Sequence, residues 1–288
     1  MKKPIFTGAC TALVTPFLDD QVNYPMLERL LARQIDAGIE SVVICGTTGE
    51  SPTLSDEEKL ELVRRAKAYA GQSCKIIAGT GSNATLHTIE LSRKAEQAGA
   101  DGLLVVTPYY NKANAEGLYR HYMAVARSVD IPVIVYNVPS RTGVDIPVSV
   151  LKQLDKIPNI AGIKEASSDI TKITKIRRNC SMAVYTGNDD QITPVMSMGG
   201  AGVISVLSNL LPVQTKALCD AAWDGDFDTA SALQIQLQPI IELLFADINP
   251  IPVKAAMKLI GFDCGTPRLP LTEAGDELLK KLESHLLQ

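Results

Sequence analysis

The sequence predicts a (β/α)8 barrel with a C-terminal helical extension, and three observations point there. Short apolar runs recur with starts roughly 20 to 35 residues apart, the length of a strand plus a crossover helix. The runs are continuous rather than alternating, as in Leu103-Leu104-Val105-Val106 and Val133-Ile134-Val135. Continuous apolar strands belong to a parallel sheet covered on both faces. The segments between them carry helix start and stop signals.

Taken in order, strands are expected near 8–14, 41–45, 75–78, 102–107, 132–137, 160–165, 183–186 and 202–206. Ala37-Gly38 and Ala95-Glu96-Gln97-Ala98-Gly99 end two intervening helices on a glycine suited to a C-terminus. Ser55-Asp56-Glu57-Glu58 reads as a capping box, with Ser55 as N-cap and Glu58 at N3. Eight βα units in succession predict a closed barrel over 1–224. An open doubly wound sheet is the competing arrangement, because spacing alone does not show closure. After Trp223-Asp224-Gly225 the β signals stop, and helices are expected at 226–246, 250–260 and 272–286 in a C-terminal region spanning 225–288.

Composition removes several function classes. Of the 288 residues 46% are hydrophobic and 21% charged, which excludes wholesale disorder. Lys and Arg number 28 against 32 Asp and Glu, a formal charge of −4, so no basic excess exists to neutralise phosphates and no nucleic-acid partner is expected. The two nearest cysteines, Cys45 and Cys74, are 29 positions apart, which excludes a CxxC-type pair. His87, His121 and His285 are scattered, so a histidine-rich metal site is not expected, though a carboxylate-bound magnesium stays open. The N-terminus lacks the apolar region of a signal peptide, and no run of 18 apolar residues occurs. A reduced, cytoplasmic protein with no membrane partner is expected.

A barrel of this kind works at the C-terminal ends of its strands. Those ends carry Gly46-Thr47-Thr48-Gly49-Glu50, Thr107-Pro108-Tyr109-Tyr110-Asn111, Tyr136-Asn137-Val138-Pro139 and Lys164-Glu165. Lys164 ends a buried strand, where a rim lysine that snorkels to solvent is the commonplace alternative. As an imine-forming nucleophile it needs its free amine, only ~1 part in 2,000 at pH 7 for an ordinary lysine, and apolar burial raises that share. Tyr136 is either a core aromatic with a backbone-bonded hydroxyl or a proton shuttle, with Thr47 as its link to solvent. The 46–49 loop is a tight turn or a cradle of hydroxyls and N–H groups for a carboxylate, and it lacks the lysine of a phosphate loop. Gly79-Thr80-Gly81-Ser82-Asn83-Ala84 resembles a dinucleotide fingerprint only weakly, and is read as a helix-capping turn. Gly199-Gly200-Ala201-Gly202 is read as a turn into the eighth strand.

Gly46-Thr47-Thr48-Gly49-Glu50, Tyr136-Asn137-Val138-Pro139 and Gly162-Ile163-Lys164-Glu165, in that order, resemble the pyruvate-dependent class I aldolase family that includes dihydrodipicolinate synthase and N-acetylneuraminate lyase. Tyr136 to Gly143, with Arg141, and Tyr109-Tyr110-Asn111 are similar to the synthase branch. The resemblance implies a TIM barrel with a C-terminal helical domain that condenses pyruvate with L-aspartate-4-semialdehyde, without a cofactor, in the diaminopimelate route to lysine. It makes Lys164 the imine nucleophile and Tyr136 the proton donor and acceptor. Thr47 and Tyr110 complete the relay, Tyr110 coming from a neighbouring subunit of a homotetramer or a dimer. Thr48 and the backbone of Ile204 hold the pyruvate carboxylate, and Arg141 receives the semialdehyde's. A retro-aldol lyase of a 2-keto sugar acid and a silent binding barrel are the alternatives. Lysine-sensitive members bind lysine at a subunit interface; Ser51, Asn83 and Tyr109 match that pocket, whereas Asp56, Lys59 and His87 depart from it, which implies weak or absent inhibition.

Overall fold

The computed structural model describes residues 2–287, so Met1 and Gln288, the outer ends of the two expected regions, lie outside it. Eight parallel strands, Gly8–Ala12, Ser41–Ile44, Lys75–Gly79, Gly102–Val106, Val133–Asn137, Ile160–Glu165, Ala183–Thr186 and Gly202–Ser205, follow one another round a closed barrel in which the first pairs with the last. Closure excludes the open sheet. Strand starts fall where the apolar runs place them, apart from a one-residue shift at Val133, and ends move by at most two residues.

Alternation along each strand divides the core into two bodies. Ile134 and Tyr136 face the barrel axis, together with Cys10, Val43, Ile77, Leu104 and Ile204. Val133, Val135, Leu103, Val105 and Val203 face the surrounding helices. Both faces are apolar, which is why the strands read as continuous runs. One strand departs from the alternation: Ile160 and Ile163 both face the helices while Ala161 faces the axis. The register explains it, since Val133 pairs with Ile160 but Ile134 pairs with Gly162. The strand therefore bulges by one residue. Glycine is required at that point, because a Cβ on Gly162 would stand 2.9 Å from the Ala183 carbonyl oxygen.

The helices start as their capping residues dictate. Ser55 accepts from the Glu58 N–H at 3.2 Å and Glu58 accepts from the Ser55 N–H at 2.8 Å, completing the box that opens Asp56–Ala70. The reading of 79–84 needs correction. The following helix, Thr85–Gln97, has Ala84 as its N-cap without a side-chain bond, and Gly79 is small because the Cys45 carbonyl oxygen would lie 2.1 Å from its Cβ. The segment is a close backbone crossing rather than a side-chain cap. A hairpin of Phe17–Leu18 and Gln21–Val22 escaped the sequence reading because its strands are two residues long. Its turn residues Asp19 and Asp20 both have positive φ, 50° and 62°.

Beyond Pro212–Trp223, the last three helices are Phe227–Leu244, Ile251–Leu259 and Asp276–Leu286. Asp226 caps the first of them through the Thr229 N–H at 3.0 Å. Ile251–Leu259 packs on the short helix Leu207–Leu210, which directly follows the eighth strand. The C-terminal region thereby reaches the end of the barrel where the strands terminate. Among the described residues, no helix is long and apolar enough to cross a membrane.

Candidate active site

Tyr136 and Lys164 end neighbouring strands and are register partners. Both are buried, 6% exposed each, and the Lys164 Nζ lies over the Tyr136 ring, 4.5 Å from its centroid. No carboxylate among the described residues lies within ion-pair distance of that amine. Gly187 leaves the room it needs, since a Cβ there would meet Lys164 Cε at 2.9 Å.

The next residues along, Asn137 and Glu165, face the other way and lock the two strand ends together. Asn137 Nδ2 donates to both Glu165 carboxylate oxygens, at 2.9 and 3.0 Å, and to Asp145 at 2.8 Å. Lys172 pairs with Glu165 at 3.3 Å and with Asp145, while the Ser167 N–H donates to Glu165 at 2.8 Å. This buried network fixes the strand ends from behind, so alternation holds Tyr136 and Lys164 towards the axis.

The loop after the second strand is held as tightly. Cys45 and Glu50 bracket it at positive φ, 58° and 56°, a conformation non-glycine residues keep only where their surroundings impose it. Thr15 Oγ1 donates to the Gly49 carbonyl at 2.7 Å. The buried Glu50 carboxylate lies 2.6 Å from Lys254 Nζ, off the line of a hydrogen bond, and accepts from the Arg268 N–H at 2.8 Å. Burial lowers the pKa of Lys254, which Glu50 opposes. Removing one partner of such a pair typically costs about 3–5 kcal/mol.

Thr47, Tyr136 and Arg141 line one cavity of about 550 Å³. Arg141 is exposed on the one-turn helix Pro139–Thr142 at its rim. Lys164, Thr48 and Ile204 are buried beside the cavity rather than on its wall, Ile204 within the barrel's inner core. Tyr110 is not brought to this site. It is 91% exposed, in a turn at φ 70°, and Tyr109 lines the cavity instead. The same cavity continues past Asp56, Lys59 and His87. Burial works against the Asp56 charge, but the His87 bond at 2.8 Å and Lys59 at 3.6 Å outweigh it and hold the carboxyl below its ordinary range.

Two neighbours of the site went unread in the sequence. Asp189, wholly buried, accepts from the Val206 and Leu207 N–H groups at 2.9 Å each, just past Ile204. Burial raises its carboxyl pKa, against the pull of Ser205, those N–H groups and Lys164. Asn249 reaches Thr48 from the C-terminal region. Asp189 stood in an acidic pair like many surface turns, and Asn249 lies 201 positions from its partner.

The model of the dihydrodipicolinate synthetase family matches residues 5–288. A 4-hydroxy-tetrahydrodipicolinate synthase of Caldicellulosiruptor saccharolyticus is 48% identical over 283 residues, covering 96% of each chain. The structure of a chloride-inhibited dihydrodipicolinate synthase of Acinetobacter baumannii complexed with pyruvate superimposes with a TM-score of 0.95 at 41% identity, covering 98% of both chains. A dihydrodipicolinate synthase variant described as monomeric gives a TM-score of 0.96 at 39% identity, covering 98% of this chain and 96% of its own. With its barrel closed and the lysine and tyrosine set side by side at the strand ends, this chain belongs to the dihydrodipicolinate synthetase family.

Proposed function

We propose that this protein condenses pyruvate with L-aspartate-4-semialdehyde to 4-hydroxy-tetrahydrodipicolinate through an imine on Lys164. The observation that carries this is the buried Lys164 amine against Tyr136, inside a chain that matches the family over its length. The Lys164 nitrogen adds to the ketone carbon of pyruvate, and loss of water leaves a protonated imine. That electron sink lets the methyl group lose a proton, giving an enamine. The enamine carbon attacks the aldehyde of the semialdehyde and forms the carbon–carbon bond. The amine of the same substrate then displaces Lys164 and closes the ring, so one water is released overall.

Tyr136 and Thr47, on the same cavity wall, are suited to move the protons of these steps. Thr48 and Ile204 take the pyruvate carboxylate, and Arg141 at the rim takes the semialdehyde's. No cofactor enters this scheme. Tyr110 completes the relay from a partner subunit, which suits its exposure, and the exposed Leu86 adds apolar surface. A homodimer is the smallest assembly with that geometry, and a homotetramer pairs two of them. The six free cysteines suit a reducing, cytoplasmic setting.

Borohydride reduction in the presence of pyruvate tests the reading. A pyruvyl adduct on Lys164, lost in Lys164→Ala together with semialdehyde-dependent turnover, supports it. An adduct on Lys254 or Lys258, or no adduct at all, overturns it. Pyruvate released from N-acetylneuraminate or 2-keto-3-deoxygluconate in place of condensation would assign a sugar-acid lyase instead.

A further inference from the structure

Thr48 is almost wholly buried, and its hydroxyl makes one bond to protein: Asn249 Nδ2 donates to Thr48 Oγ1 at 2.9 Å. A threonine hydroxyl has a single proton and two acceptor positions. The amide occupies an acceptor position, and among the described residues no protein atom accepts the Thr48 proton. A buried donor without an acceptor is costly to keep. The proton is thus left for something that enters the site, and an anionic oxygen is the strongest acceptor available.

Asn249 is itself held at that distance. It lies two residues before the helix Ile251–Leu259, whose Lys254 forms the buried ion pair with Glu50, two residues beyond Thr48. The C-terminal helix and the 46–50 loop are therefore joined twice, by the ion pair and by the amide–hydroxyl bond.

We propose that Asn249 is a positioning residue for the substrate carboxylate: by donating to Thr48 Oγ1 it commits the Thr48 proton to the carboxylate of pyruvate. The Lys254–Glu50 pair keeps the two segments at the required spacing. The proposal rests on the reading above that Thr48 holds that carboxylate.

The test is a double-mutant cycle, read as the pyruvate concentration that half-saturates the borohydride-trapped adduct, with kcat and the semialdehyde KM measured alongside. Asn249→Leu keeps most of the volume and removes the donor. Half-saturation should rise about tenfold, as for a lost bond to a charged group, with kcat and the semialdehyde KM little changed. Asn249→Asp can only accept, so it draws the Thr48 proton to itself and should raise half-saturation further. Thr48→Val should match Asn249→Leu, and the double variant should be no worse than Thr48→Val alone. Losses that multiply in the double variant would reveal a merely structural role and overturn the proposal. So would unchanged half-saturation in Asn249→Leu when Thr48→Val raises it. If Thr48→Val itself leaves half-saturation unchanged, the assignment of Thr48 to the carboxylate falls, and the proposal with it. Melting temperatures accompany each variant, and Asn249→Ser carries the same cycle if the leucine variant does not fold.

Discussion

The Lys164 amine stands 4.5 Å above the centre of the Tyr136 ring, its register partner on the adjacent strand. An ammonium over an aromatic face gains about 0.5–2 kcal/mol, and the contact orients the lysine before any substrate arrives. The Tyr136 ring and the Lys164 nitrogen are thereby held together at neighbouring strand ends.

Tyr136→Phe keeps the ring and its contact with Lys164 and removes only the exchangeable proton. Turnover should fall about 10²–10⁴-fold, the usual loss for a general acid–base group, while the borohydride adduct still forms, more slowly. Stopped trapping time courses beside steady-state rates would check both halves. Wild-type turnover would remove Tyr136 from the relay.

Arg141 lies exposed at the rim on a single helical turn, so its side chain can be exchanged without disturbing the core. Its fork grips a carboxylate through two parallel N–H bonds, a geometry that an ammonium does not copy. In Arg141→Lys the semialdehyde KM should rise, with pyruvate trapping largely retained. Equal damage to both substrates, measured by varying each in turn, would give Arg141 a structural role.

Free lysine should inhibit weakly or not at all. Asp56 lines the cavity, yet its carboxylate is already engaged by His87 and Lys59, which leaves little attraction for a cationic ligand. A charge partner free to meet a ligand in a desolvated site is typically worth about 2–5 kcal/mol. Lysine titrated at saturating pyruvate should give half-inhibition above ~1 mM, weaker than about −4 kcal/mol of binding. A midpoint well below that would show that the pocket retains a counter-charge.

Arg268 ties the C-terminal region to the helix after the 46–50 loop, with bonds of 2.6 and 2.9 Å to Glu58. Those bonds, against a smaller desolvation cost, hold the Glu58 carboxyl below its ordinary value. A lowered carboxyl pKa stabilises the fold fully above the unfolded value of ~4.3, and that gain is lost as pH falls through the folded value. Arg268→Met should therefore cost about 1–2 kcal/mol near pH 7, solvent screening included. The gap in melting temperature should narrow below pH ~4.3. A gap that stays constant down to acid pH would assign the loss to contacts that do not titrate: the bonds to the Thr53 and Asp20 carbonyls, at 3.0 and 2.6 Å, and the Phe17 ring, whose centroid lies 4.4 Å from the guanidinium.

The barrel was legible because its strands are apolar on both faces, and a two-faced strand announces itself by composition alone. Which side chain points where was not, since the bulge at Ala161 breaks the count that would have given it. The hairpin at Phe17 was too short to leave a pattern. In the site, Lys164, Tyr136 and Thr47 stood out because chemistry-bearing types sit at the ends of apolar runs. Asn249 had no such frame: its partner is 201 residues away, and only the packing of the last helices against the barrel brings them together. Tyr110, expected to serve a neighbouring subunit's relay, lies exposed outside this chain's own cavity.

The extra residue in the strand Ile160–Glu165 has a consequence for how this barrel tolerates change. Below the bulge the strand keeps phase with its neighbour through Ile160, opposite Val133, and above it through Ile163 and Lys164, opposite Val135 and Tyr136. The two halves are indexed separately, like the sections of a ruler joined at a sliding stop. Removing Ala161 would leave a regular ladder in which Lys164 still faces the axis. A one-residue insertion between Gly162 and Lys164 would send the amine out among the helices and turn a different side chain inward. Loss of the extra residue at the base therefore leaves the facing of Lys164 unchanged, whereas the last three positions have no slack at all.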